Sequence, residues 1–220
     1  MFDTKDFVDK LMENASAALI IESAQARLKT EQERRRDFYE TITESDKVEF
    51  INGEIEYHSP VVKKHNDATG LLYMLLSAFA RVHQLGFVGI EKIMVSLTRN
   101  DYEPDICFFN NEKAKDFTGN QMLFPVPDFV VEVLSKSPKS LQRDRVIKFD
   151  DYEAHGVAEY WMIDPDEETV EQYVLQNGKY QLVLKATEGH VRSHVVEGFV
   201  IPIPAIFDEK ANLEALRSLI

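Results

Sequence analysis

The sequence predicts an α/β domain built around one mixed central sheet, and three observations carry that prediction. Two runs, "DFVVEVL" (128–134) and "AEYWMID" (158–164), are apolar almost throughout, as strands covered on both faces are. Residues 63–85 space their apolar side chains at helical intervals, and 138–155 open with Ser137 as N-cap and Pro138 in the first turn. Two Asn-Gly pairs, Asn52-Gly53 and Asn177-Gly178, sit between short runs that read as hairpins. The order helix–hairpin–strands–helix–strand–hairpin belongs to an α/β or α+β domain.

Taken in order, residues 1–37 form a helical extension and residues 38–220 the main domain. The stretch "ESAQARLKTEQERRRDFYE" lacks Gly and Pro and is sparse in apolar positions, so it reads as a surface helix or one that packs on a partner. "KVEFINGEIEYHSP" is the first hairpin. The helix at 63–85 carries Leu72, Leu75, Leu76 and Phe79 on one stripe and stops at Gly86. "FVGIEKIMVSL" and "DYEPDICFF" read as two strands with a turn near Asn100-Asp101. The strand "DFVVEVL", the helix to about His155, the strand "AEYWMID" and the hairpin "TVEQYVLQNGKYQLVLKA" follow. The tail "FVIPIPAIF" reads as an extended, proline-punctuated edge.

Composition excludes several classes. The 220 residues hold 25 basic and 38 acidic side chains, a net charge of −13, which opposes non-specific coating of nucleic acid or anionic membrane. No apolar run approaches the ~18–20 residues of a membrane span, and the N-terminus lacks the basic and apolar regions of a secretory signal. A single cysteine, Cys107, rules out an internal disulfide and a multi-cysteine zinc site. The expectation is a cytoplasmic protein with no membrane partner. One local exception to the acidity stands out: Lys136, Lys139, Arg143, Arg145 and Lys148 face only Asp144 in their stretch.

Glu132 sits inside a run of Phe, Val and Leu, where a buried carboxylate costs several kcal/mol unless a proton, a cation or hydrogen bonds satisfy it. Asp105 follows a proline in "YEPDICFF", on a strand whose other residues are largely apolar. If that strand pairs with the one bearing Glu132, two carboxylates converge at one sheet end, and either one is protonated or a cation lies between them. Oxygen-only ligation suits Mg²⁺ or Mn²⁺. Asp128 is the poorer partner, because four strand residues place it ~13 Å from Glu132. Asp144, Lys148 and Tyr152 recur every fourth residue and share one helical face.

With these stretches in view, "YEPDICFF", "PDFVVEVLSKSP" and "RDRVIKFDDYEAHGVAEYWMIDP" together resemble the Uma2 (DUF820) family of the PD-(D/E)XK, restriction-endonuclease-like superfamily. "KVEFINGEIEYHSPVVKKHN" resembles that family's N-terminal hairpin with a histidine soon after, and the likeness covers roughly residues 38–208. It implies a restriction-endonuclease-like mixed sheet flanked by helices and a divalent-metal-dependent endonuclease acting on nucleic acid, DNA in the first instance. Asp105 and Glu132 would hold Mg²⁺ or Mn²⁺, with the Val133 carbonyl as a third ligand. The superfamily's lysine, two residues after the glutamate, is Leu134 here, and Lys148 on the following helix takes its place. Glu49, His65, Asp144 and Tyr152 are supporting candidates. Lys136, Lys139, Arg143 and Arg145 would meet the phosphate backbone, and two-strand cleavage would be easiest for a homodimer.

Each residue also has a plainer reading. Glu132 could be a structural ion pair with Arg143 or Lys148, Asp105 a strand-end residue bonded to nearby amides, and Lys148 an i,i+4 partner of Asp144. His65 could cap its helix or fill the core, and Tyr152 and Trp161 read first as core. The competing function is a non-catalytic binding or assembly protein on a degenerate nuclease fold. The chain's acidity and the departure at Leu134 favour it; the Asp105–Glu132–Lys148 set opposes it.

Overall fold

The computed structural model describes residues 4–43 and 45–220. Along the chain run α1 (Thr4–Met12), α2 (Ala17–Thr41), β1 (Val48–Ile51), β2 (Glu54–Tyr57), α3 (Lys63–Val82), β3 (Gly86–Ile90), β4 (Met94–Ser96), β5 (Asp101–Tyr102) and β6 (Ile106–Asn110). The short α4 (Asn111–Ala114), β7 (Leu123–Phe124), β8 (Phe129–Val133), α5 (Pro138–Gln142), a π-helical turn (Arg143–Ile147) and α6 (Lys148–Ala154) follow. The C-terminal part holds β9 (Glu159–Asp164), β10 (Thr169–Gln176), β11 (Lys179–Ala186), β12 (His190–Arg192), β13 (Val200–Pro202), a 3₁₀ turn (Ile203–Ile206) and α7 (Glu209–Leu219). None of these helices is long and apolar enough to cross a membrane, among the described residues.

The central sheet has six strands in the order β11-β10-β9-β8-β6-β3. Only β8 and β9 run parallel, joined by the α5–α6 crossover, so the sheet is mixed. The period-2 alternation of strand side chains builds a core on each face. Ile106, Phe108, Phe129, Val131, Val133 and Trp161 pack on the α3–α7 side. Cys107, Phe109, Val130, Leu134, Tyr160 and Met162 pack on the α6 side with Tyr152. Glu132 shares parity with Val130 and Leu134, so its side chain is delivered to the α6 face.

Four details differ from the elements expected. A second sheet, β2-β1-β5-β4-β7, stands beside the first, and β12 pairs with β13. "FVGIEKIMVSL" is two strands in different sheets, because Glu91 adopts φ 52 and its N–H bonds to the Asp105 carbonyl, turning the chain between them. "DYEPDICFF" likewise breaks at Glu103-Pro104-Asp105, and the break leaves Asp105 at the head of β6. The tail is extended as far as Pro202, with β13 paired to β12 alone, but it is buried: Ile201, Ile203, Ala205 and Ile206 are fully buried in the core with α3, and α7 follows them. Asp208 caps α7 by accepting from the Ala211 N–H.

The long α2 runs unbroken from Ala17 to Thr41 and docks through its C-terminal half. Phe38 packs on Phe50 of β1. Arg35 grips both carboxylate oxygens of Asp101 at 2.6 and 2.7 Å and donates to the Leu97, Thr98 and Asn100 carbonyls. Those contacts fix β1, which carries Glu49 to the site, and β5, after which Glu103 follows.

Candidate active site

The β6–β8 register sets the geometry. Ile106, the first residue of β6, lies opposite Val131, which brings Asp105, just before it, to the end of β8 that carries Glu132 and Val133. Asp105 is tied there by the Val133 N–H, which donates to its Oδ2 at 2.7 Å. His65, buried in the first turn of α3, brings Nε2 to 3.3 Å from the same oxygen. Burial raises the Asp105 carboxyl, but His65, the Val133 amide and Lys148 outweigh it and hold the group below its ordinary value. Burial lowers the His65 imidazole and Asp105 more than restores it, so it lies above its ordinary value.

Lys148 is the centre of the second cluster. Its Nζ lies 2.8 Å from Glu49 Oε1, 2.9 Å from Glu132 Oε1 and 3.8 Å from Asp144 Oδ1, with the Tyr102 ring 5.6 Å away. The lysine is 1% exposed, so this is no surface i,i+4 pair. Burial alone would lower its pKa, yet Glu132, Glu49 and Asp144 raise it well above its ordinary value, and Lys148 remains an ammonium. Such a group donates hydrogen bonds and balances charge; it does not accept a proton.

The carboxylates around it divide. Glu49 accepts from the Glu103 N–H at 2.9 Å and stands 3.2 Å from His58 Nε2 and 3.7 Å from Arg143 Nε. Burial opposes its ionised form, but Lys148, His58 and Arg143 drive it well below the carboxylate range. Glu132 is the reverse: burial, reinforced by Asp144, Asp105 and Glu49 and only partly offset by Lys148, pushes it up to about 8. Asp144 is raised by burial as well, despite Lys148 and Arg143. Tyr152 donates to Glu132 Oε1 at 3.2 Å. Tyr152 and Trp161 are both fully buried, as core residues are.

The cluster floors a cleft of about 830 Å³ reached by Asp105, Glu132, Asp144, Lys148 and His65. Of the expected phosphate contacts, Lys136 pairs with Asp166 at 3.2 Å, Lys139 with Glu56 at 2.6 Å, and Arg143 with Glu49 and Asp144. These three line the cleft, whereas Arg145 forks onto Glu171 of β10 and does not. Two participants carry no motif signal. Glu103 is buried with Oε2 lacking a hydrogen-bond partner, and burial together with Glu49 pushes it up to about 7 against Lys47 and Lys92. His58 becomes a partner of Glu49 only through the β1–β2 pairing.

Among the described residues, no group of three His, Cys, Asp or Glu side chains is set to hold a metal ion. The donor chemistry nevertheless fits a hard divalent cation. Glu49, Asp105, Glu132 and Asp144 are all buried around two permanent cations, Lys148 and Arg143. Four carboxylates against those two cations leave negative charge for protons, for His58 and His65 beside Glu49 and Asp105, or for a divalent ion to balance. Mg²⁺ characteristically takes one or two carboxylates and completes its shell with water and phosphate oxygens, so a third acidic side chain is not required.

Comparison with known proteins agrees with the architecture. A solved structure from Anabaena variabilis ATCC 29413, described as a "putative nuclease belonging to DUF820", superposes with a TM-score of 0.65 at 20% identity, covering 77% of this chain and 94% of that one. The protein is therefore a mixed α/β domain of a nuclease-like fold. The Uma2 family model, described as "Putative restriction endonuclease", matches residues 35–204, and the chain belongs to that family. No curated protein matches it.

Proposed function

We infer that the protein is a divalent-metal-dependent endonuclease that hydrolyses phosphodiester bonds, with DNA as its substrate. One observation carries this reading: four buried carboxylates, with Asp105 at the head of β6 and Glu132 on the neighbouring β8 among them, outnumber the two permanent cations Lys148 and Arg143 at the floor of an open cleft. A protein using Glu132 only as half of an ion pair with Lys148 has no need of Asp105 beside it.

Asp105 and Glu132, with the Val133 carbonyl, would hold Mg²⁺ or Mn²⁺, which supplies Lewis-acid stabilisation of a phosphoryl oxygen and a more acidic bound water. His65 positions Asp105 through the 3.3 Å contact. Lys148, fixed as an ammonium between Glu49 and Glu132, orients Glu132 and offsets negative charge developing on the phosphate. Glu49 anchors Lys148, and Tyr152 steadies the same Glu132 oxygen. Lys136, Lys139 and Arg143 receive flanking phosphates.

Calorimetric titration of Mn²⁺ into the wild type, Asp105→Ala and Glu132→Ala tests the site, and cleavage of end-labelled DNA with Lys148→Ala as comparison tests the chemistry. Saturable binding lost in both carboxylate variants, with cleavage lost in all three, is the expected result. Unchanged binding in both variants would move the metal elsewhere and return Glu132 to a structural charge.

A further inference from the structure

Resting on the phosphodiesterase reading, we propose that the strand taken by this cleft is unpaired: the substrate is single-stranded nucleic acid. The groups that would meet the scissile phosphate are recessed, with Lys148 1%, Glu132 3% and Asp105 8% exposed. The cleft above them, about 830 Å³, lies in the range that encloses one drug-sized ligand. It has room for a few nucleotides of one strand.

The mouth of the cleft carries the second observation. As the chain leaves the edge strand β2 it lays down Tyr57, Pro60, Val61 and Val62, all lining the cleft. Tyr57 is 74% and Val62 69% exposed, a large apolar outlay at the rim of a charged pocket. An aromatic ring beside a cationic groove is the pattern that receives unstacked bases, because every base offers a π-face while its phosphate needs a cation. A duplex keeps its bases stacked inward and gains nothing from such a rim.

The charges match. Seven Lys and Arg side chains line the cleft against six Asp and Glu, a small positive excess in a chain of net charge −13. At the rim, Lys139 of α5 reaches Glu56, next to Tyr57, and Lys64 and Lys136 share Asp166. Exposed pairs of this kind contribute little to stability, so phosphates can displace the acids. The Lys139–Glu56 contact also ties α5 to β2.

Fluorescence anisotropy on the full chain in EDTA, where no strand is cut, tests the proposal with one labelled DNA sequence presented single-stranded and as duplex. The single strand should bind at least about tenfold more tightly. Tyr57→Ala should weaken single-strand binding about tenfold or more while leaving duplex binding unchanged, and Tyr57→Phe should restore it. Equal or tighter duplex binding, or no effect of Tyr57→Ala, overturns the single-strand proposal and leaves the nuclease reading standing. Failure of both DNAs to bind, in EDTA and again in Mn²⁺, overturns both.

Discussion

Glu132→Gln isolates the charge on which the site turns. An unfolded glutamate ionises near 4.5, whereas Glu132 in the fold is pushed up to about 8, chiefly by burial. Between those values the folded state holds a proton that the unfolded state has released. Stability therefore falls as pH rises through this window, by at most about 1.4 kcal/mol per pH unit. Integrated from about pH 5.5 to about pH 8.5, the wild type should lose about 3 kcal/mol relative to a variant that cannot ionise there. Gln keeps the shape and an oxygen for Lys148 and Tyr152, so packing differences cancel when the two pH values are compared. Glu103 and Asp144, also raised, titrate in both proteins and largely cancel too.

Urea unfolding of both proteins at the two pH values, with chelator present, gives the quantity directly. The stability difference between Gln variant and wild type should grow by about 3 kcal/mol toward the alkaline side. Added Mn²⁺ should then restore the wild type and leave the variant unmoved, because only an ionised Glu132 gains from a cation. A difference that stays flat to within about 0.5 kcal/mol would mean that Lys148 alone satisfies Glu132, and the surplus-charge argument for a metal would fall.

Three further outcomes follow from single contacts. Lys148→Met should destabilise the protein by about 3–5 kcal/mol, since it strands Glu49 and Glu132 without their buried cation; thermal unfolding at neutral pH would show it, and a near-wild-type midpoint would contradict the network. Glu159, fully buried, accepts from Trp161 Nε1, Gln172 Nε2, Ser193 Oγ and the His194 and Val195 amides, so Glu159→Gln turns one acceptor into a donor facing donors. A loss of about 3–5 kcal/mol by urea unfolding, without change in Mn²⁺ affinity, is expected. Arg35→Ala removes the clamp on Asp101 and should both destabilise by about 2–4 kcal/mol and raise hydrogen exchange along α2 and β5.

Much of this was legible in the sequence because burial leaves a mark on residue type. A glutamate among valines is conspicuous, and the run around it marks a two-sided strand, which is where β8 lies. Lys148 and Tyr152 were legible through the four-residue spacing, which survives the π-helical turn at 143–147 because that turn ends before Lys148. The second sheet was not legible. Strands as short as β5 and β7 carry two residues each, too few for a period to register, and the turn that splits β3 from β4 rests on Glu91, a residue with no special turn preference. Glu103 and His58 were invisible for a related reason: their importance lies in which strands meet.

The same breaks that hid the second sheet are what build the site. Had "DYEPDICFF" continued as one strand, its pleat would have carried Asp105 into a regular ladder, its neighbours committed to backbone pairing. Instead the Glu103-Pro104 interruption lets β5 belong to one sheet and β6 to the other, with the Glu103 amide freed to bind Glu49 and Asp105 freed to bind the Val133 amide. Two sheets thus each contribute an acid to Lys148's neighbourhood, Glu49 from one and Glu132 from the other, and the lysine bridges them. The irregular backbone lies where the carboxylates converge because regular pairing would have left those amides with no acid to hold.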